Sequence, residues 1–276
     1  MEKNLSNLPI GVFDSGVGGI SVLADLVYQL PDEQYVYFGD SGNAPYGIRS
    51  NEEVKRLSLN AVEYLLNFKI KALVVACNTA TSVVINELRN RLNIPVIGME
   101  PALKPGIKLN KQGKVAVMAT DVTLREKKFN DLIQKLKYAT NVIKMPCLGL
   151  VEIIEKEGKH SDKIKNYIKD IFLPHNIDEI GVIVLGCTHY IFIKDIIANI
   201  VGENINIVDG NLGTVRHLKN LLQADNKLIS GKTGGCKETK IKLINSGKND
   251  DMLELSKKLL EERLKDLNWC GIINYI

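Results

Sequence analysis

Two cysteines in this chain stand where a thiol could do acid–base work. Leu73-Val-Val-Ala-Cys77-Asn-Thr-Ala-Thr81 is an apolar run closed by a cysteine and small polar residues, and Ile183-Val-Leu-Gly-Cys187-Thr-His-Tyr190 repeats that grammar 110 positions later. Four apolar residues bounded in this way read as a buried strand, and the helical pattern after each places the cysteine at a strand-to-helix junction. In an open parallel sheet that junction lies at the carboxyl ends of the strands, where ligands bind. Each thiol has polar neighbours, Asn78 and Thr79 beside Cys77, Thr188 and His189 beside Cys187. A helix N-terminus at each junction would favour the thiolate. His189 is spaced to shuttle the proton of Cys187 or to pair with its thiolate. Cys147, Cys236 and Cys270 lack such settings and read as small core residues.

Other chemistries fit less well. Cys187-x-His189 has no second closely spaced ligand pair, so no metal site is expected. Gly16-x-Gly18-x-x-Ser21 follows a strand, and Asp40 ends the next strand about where a ribose-binding acid would lie. The third glycine of that fingerprint is missing, however, and Asp14-Ser15 occupies the turn, where a carboxylate would repel a pyrophosphate. No cofactor motif is legible.

The elements that must position the two thiols follow from pattern. The first strand runs from about Pro9 to Asp14, the second from Tyr35 to Phe38, the third ends at Cys77, and Pro95 to Gly98 is a short fourth. Ser50-Asn-Glu-Glu53 has capping-box spacing before a helix carrying Val54, Leu57, Ala61 and Leu65. After a crossing rich in Pro, Gly and Lys (100–114), strands recur at 115–118, 141–145, 181–187 and 205–208. Strand midpoints are separated by about 25, 38 and 21 residues in the first half and about 26, 41 and 23 in the second, lengths suited to right-handed βαβ crossovers. The expected fold is α/β, with two similarly built domains of mainly parallel sheet related by pseudo-symmetry. The active site is expected in the cleft between them. Residues 1–98 plus 209–276 would form the first domain, with the C-terminal helices packed back on it, and 99–208 the second. An edge strand is expected near Lys240 to Ile244 and a late helix over Asp250 to Leu267; the tail from Asn268 has no usable periodicity.

With 276 residues, 45% hydrophobic and 25% charged, the chain has the composition of a soluble globular protein. Its net charge of +4 is scattered over lysines rather than gathered in a stripe, so no nucleic-acid partner is expected. No apolar run approaches the roughly 20 residues of a membrane span, and no signal-peptide core is visible. An odd number of widely spaced cysteines, five, suits a reducing compartment, and a cytoplasmic location is expected.

Four blocks together carry a family likeness. Gly11-Val-Phe-Asp-Ser-Gly-Val-Gly-Gly19, Gly39-Asp40 with Pro45-Tyr-Gly47, Ala76-Cys-Asn-Thr-Ala-Thr81 and Gly186-Cys-Thr-His-Tyr190 occur in the order and spacing of the glutamate racemases, which the chain resembles up to about residue 215. The resemblance implies a cofactor-independent racemase acting on L- and D-glutamate and supplying D-glutamate for peptidoglycan, hence cell-wall biogenesis and cell shape. By position it implies that Cys77 and Cys187 are the catalytic thiols, with Asp14 and His189 as auxiliary acid and base. It implies substrate contacts at Asp14, Ser15, Tyr46, Gly47, Asn78, Thr79, Thr188 and His189, and at Thr120 and Thr123, although Ala119 replaces the glycine that opens that family segment. The family's auxiliary glutamate lies eight residues after a cysteine, which selects Glu155, with Glu152 as its rival. Ile191 stands where the family usually has proline. A homodimer is an allowed assembly. Because about eight residues precede the first strand, activity without an activator is expected. Aspartate or another acidic amino acid is the alternative substrate, and a nucleotide-binding or thiol-redox sensing module the alternative without this chemistry.

Overall fold

The structure, a computed structural model, describes residues 5–110, 112–136, 141–158, 161–229, 237–247 and 250–276. Cys236 and the loop expected at 232–236 lie outside the described residues. In chain order the elements begin with β1 (Ile10–Asp14), α1 (Ile20–Gln29), β2 (Tyr35–Gly39), α2 (Asn51–Leu66), β3 (Ala72–Val75), α3 (Asn78–Arg91) and β4 (Val96–Gly98). They continue with α4 (Leu103–Leu109), β5 (Lys114–Ala119), α5 (Asp121–Arg125), α6 (Lys127–Lys135), β6 (Val142–Pro146), α7 (Leu150–Glu157), α8 (Asp162–Phe172), β7 (Ile180–Gly186), α9 (Lys194–Val201) and β8 (Asn206–Asp209). The last four are α10 (Asn211–Ala224), β9 (Glu238–Asn245), α11 (Asp251–Asp266) and β10 (Ile272–Tyr275).

The chain divides into two compact α/β units. One comprises Met1–Tyr46, Ser50–Met99 and Asn211–Ile276, the other Gly47–Arg49 and Glu100–Gly210. The first holds a parallel six-stranded sheet in the order β10-β9-β2-β1-β3-β4, the second a parallel four-stranded sheet in the order β6-β5-β7-β8. Counting strands from the start of each half, both sheets contain the order second, first, third, fourth. Strands β1, β2 and β3 are buried along their whole length, as parallel strands covered on both faces must be. That is why they read as continuous apolar runs rather than alternations. Helix α2 starts where the sequence places its cap: the Ser50 hydroxyl accepts the N–H of Glu53 at 3.2 Å, a contact typically worth about 1 kcal/mol. Val54, Leu57, Ala61 and Leu65 then pack with Phe13, Leu73 and Val75 in one core.

This strand order fixes where a ligand can bind in each unit. Successive crossovers leave the first strand to opposite sides, so a crevice opens at the carboxyl ends of the first and third strands. In the first unit those are β1 and β3, paired Phe13 with Val75, so Asp14 and Cys77 emerge side by side. In the second they are β5 and β7, paired Ala119 with Gly186, so Thr120 and Cys187 emerge together.

Three expectations are corrected. The strand near Lys240 is interior, lying between β2 and β10, and the edge is β10, formed by the tail whose four-residue run carried no periodic signal. Cys270 is exposed rather than part of the core, because Asn268, in a left-handed conformation (φ 55°), turns the chain away after α11. Cys187 does not open an α-helix: residues Thr188–Ile193 form a 3-10 turn, and α9 starts only at Lys194. The Tyr190 N–H reaches the Cys187 carbonyl at 3.1 Å, and burial of nearly every side chain in the turn holds the tighter winding against the α-helical alternative. Among the described residues, no helix is long and apolar enough to cross a membrane, and no group of three or more His, Cys, Asp or Glu side chains is placed to hold a metal ion.

Candidate functional site

Cys77 is the N-cap of α3, with extended backbone (φ −65°, ψ 120°), and its sulfur accepts the Ala80 N–H at 3.4 Å. The thiol thus occupies the place of a capping oxygen, where the positive end of the helix favours negative charge on sulfur. The Ser15 hydroxyl lies 3.3 Å from the same sulfur. Asp14 is fully buried, and one carboxylate oxygen accepts the Gly16 N–H at 2.9 Å. Asn78 and Thr79 form the first turn of α3 and are buried; the Oδ1 of Asn78 has no hydrogen-bond partner among the described residues, leaving an acceptor for a ligand group.

Tyr46 is turned differently from a substrate-binding side chain. Its ring is buried against Phe13, with centroids 6.3 Å apart, and its hydroxyl donates to Asp40 at 2.6 Å. Burial, and then that bond, hold its phenol pKa far above the ordinary value, so it stays neutral. The side chain of Tyr46 is thus committed to Asp40 and the core. The same carboxylate of Asp40 accepts from the Asn43 amide at 3.0 Å and from the Ser246 hydroxyl at 2.5 Å. These bonds fasten the loop after β2, and they occupy the acid that a nucleotide ribose would need. Ser246, 206 positions from Asp40, was invisible from sequence because only the pairing of β9 with β2 brings it there.

The second thiol has an imidazole where the first has a hydroxyl. Cys187 Sγ lies 3.8 Å from Nδ1 of His189, and Nε2 of His189 lies 2.8 Å from Oε1 of Glu155 on α7. Of the two rival glutamates, Glu155 is the one seated on the imidazole. Burial alone would pull the His189 pKa down; the bonds to Cys187 and Glu155, with their negative charges, outweigh it and hold it well above the ordinary value. The Glu155 carboxylate thus favours the protonated form of the imidazole beside Cys187. The polar partner of this sulfur is accordingly the His189 ring rather than a helix end. Cys147 is buried nearby, its thiol donating to the Met145 carbonyl at 3.4 Å, and burial pushes its pKa up to about 12. It is a neutral core thiol.

Thr120, which follows β5, caps α5 by accepting the Thr123 N–H at 3.4 Å, and the two hydroxyls are 3.0 Å apart. Gly47 packs against this pair: a Cβ there would come within 2.9 Å of the Thr120 methyl. Thr188 is buried in the 3-10 turn after Cys187. The structure thus gathers Asp14, Ser15, Cys77, Asn78 and Thr79 at the strand ends of one unit. It gathers Gly47, Thr120, Thr123, Cys187, Thr188, His189 and Glu155 in the other.

Known proteins share this chain's sequence and fold. The sequence model of the Asp/Glu/Hydantoin racemase family matches residues 10–218. A curated glutamate racemase of Clostridium acetobutylicum is 51% identical over 259 residues, 94% of this chain and 99% of its own. One of Clostridium novyi is 49% identical over 261 residues, 93% of this chain and 98% of its own. Among solved structures, a glutamate racemase of Bacillus anthracis superposes with a TM-score of 0.82 at 30% identity, covering 98% of both chains. A glutamate racemase of Francisella tularensis, solved in complex with D-glutamate, gives 0.77 at 26% identity, again over 98% of both. With the match to the family model spanning both cysteine blocks, and with relatives this similar along nearly their whole length, the chain belongs to the Asp/Glu/hydantoin racemase family of isomerases, alongside the glutamate racemases.

Proposed function

We propose that the protein interconverts L- and D-glutamate without a cofactor, using Cys77 and Cys187 as the two acid–base groups, and supplies D-glutamate for peptidoglycan in the cytoplasm. The observation that carries this reading is the equivalent placement of one thiol in each unit, at the end of the third strand, with its own hydrogen-bonding partners. The substrate follows from the relatives, which are named glutamate racemases.

Inverting an α-carbon needs a base on one face and an acid on the other. A thiolate removes the Cα proton, and the thiol of the other cysteine delivers a proton to the opposite face; in the reverse reaction the roles exchange. A reference thiol pKa near 8.5 leaves only a modest shift to be supplied. The capping position and the Ser15 hydroxyl favour the thiolate form of Cys77, and the imidazole of His189, 3.8 Å from Cys187 Sγ, is placed to exchange a proton with it. Charge that develops on the α-carboxylate as Cα is deprotonated requires fixed donors. The first-turn N–H groups of α3 at Asn78 and Thr79, with the hydroxyl of Thr188, are suited to that task. Thr120, Thr123 and the backbone at Tyr46 and Gly47 are left to hold the rest of the substrate.

Circular dichroism of L-glutamate incubated with the protein and no added cofactor tests the reading. The expected result is decay of the signal to zero, with solvent deuterium appearing at Cα. A stable signal, or inversion without deuterium uptake, would remove it.

A further inference from the structure

We propose that Tyr37 is a positioning residue for Cys77: by holding the carbonyl of Gly16, its hydroxyl sets the turn that places the Ser15 hydroxyl on the Cys77 sulfur. The inference deepens the proposed two-thiol reading and rests on it.

Tyr37 lies on β2 opposite Val12 of β1 and is buried, 1% exposed. Its hydroxyl donates to the Gly16 carbonyl at 2.6 Å. The same carbonyl is backed by Gly39, where a Cβ would come within 2.5 Å of that oxygen, so only glycine leaves room for it. On the other side of the residue, the Gly16 N–H is taken by the Asp14 carboxylate at 2.9 Å. Residue 16 is therefore gripped at both ends. Ser15, directly before it, has little freedom left and presents its hydroxyl 3.3 Å from Cys77 Sγ. A hydroxyl donating to sulfur favours the thiolate over the thiol. A short strand-end turn with three glycines in five residues, Gly16 to Gly19 after Ser15, would otherwise sample many conformations. A tyrosine that merely satisfied a buried carbonyl would change stability and leave the thiol alone; one that sets Ser15 changes the thiol.

The test follows alkylation of Cys77 by iodoacetamide, resolved by peptide mass spectrometry across the thiol titration range, alongside racemisation of L-glutamate. Asp14, Asp40 and the Tyr46 phenol are ionisable groups that share this strand end with Cys77, and all three are retained in every variant. Tyr37→Phe and Ser15→Ala should each move the alkylation midpoint of Cys77 upward and lower kcat/KM about tenfold, the size of one lost hydrogen bond. The double variant should match either single one, because the two residues act in series. Replacing Tyr37 by 4-aminophenylalanine, which keeps a donor at the same place, should restore much of both, and serves if the Phe variant is too unstable to assay. An unmoved Cys77 profile in Tyr37→Phe, or effects that multiply in the double variant, would overturn the proposal. A moved profile with unchanged racemisation would overturn the catalytic role of Cys77, and so identify the two-thiol reading as the part that fails.

Discussion

The Nε2 of His189 and the Oε1 of Glu155 are 2.8 Å apart, and the other ring nitrogen of the same imidazole faces the sulfur of Cys187 at 3.8 Å. One buried ring thus joins a carboxylate to a thiol, a line of three groups from α7 to the end of β7. Glu155→Gln should lower the His189 pKa, observable by NMR of the ring protons, whereas Glu152→Gln should leave it in place. The raised pKa means that the folded protein binds this proton more tightly than the unfolded chain. Its contribution to stability is full below about pH 6.5 and declines as pH rises through the folded-state pKa. Melting temperatures measured upward from neutral pH should therefore fall more steeply for the wild type than for Glu155→Gln. Equal slopes would contradict the pairing.

Cys77→Ala and Cys187→Ala should each lower full racemisation by at least about 100-fold, the lower bound for a lost acid–base group, with the far-ultraviolet spectrum unchanged. Both sulfurs lie at strand ends rather than in mid-strand, so the sheets should survive the loss. Substantial turnover in either variant, followed by circular dichroism, would exclude a two-thiol mechanism.

The helpers differ between the thiols, so the two directions should respond differently. Asp14 and Ser15 stand with Cys77, His189 and Glu155 with Cys187. Asp14→Asn should impair the proton transfers through Cys77, and His189→Asn those through Cys187, each by about 100- to 10,000-fold. Equilibrium fixes the ratio of net kcat/KM values for the two enantiomers. The asymmetry should appear instead in the Cα-deuterium isotope effects, measured separately from L- and from D-glutamate. The same pattern in both variants would defeat the assignment.

A second buried charge pair lies at the opposite ends of the strands. Lys71 and Glu33 are each 1% exposed and 2.5 Å apart, and Lys71 also donates to the carbonyls of Ser6 and Lys227 while Glu33 accepts the N–H of Ile229. Burial is the main cause of the lowered Lys71 pKa, opposed by its bond to Glu33. Lys71→Met should cost about 3–5 kcal/mol in urea unfolding, since it strands the carboxylate. Adding Glu33→Leu should recover part of that loss. Full stability in the single variant would mean that water already solvates the pair.

Much of the fold and site is legible in the sequence itself. The paired Cys77 and Cys187 blocks, the crossover spacing and the Ser50 cap are local signals, carried by residues a few positions apart, and periodicity or capping chemistry reads them directly. Residues that meet through the sheet were not legible. The choice of Glu155 over Glu152 depends on how α7 lies against the turn after β7, 34 positions on. The inward turn of Tyr46 depends on Asp40, itself fastened by Ser246 just after β9, and the true edge strand depends on β10 finding β9. The 3-10 winding after Cys187 was hidden for the same reason: burial in the core of its unit, rather than the propensity of Thr188 to Ile193, decides it. Local sequence determines which groups can do chemistry; packing between distant segments determines which of them are aimed at it, because a side chain's partners are set by whichever surfaces the core leaves beside it.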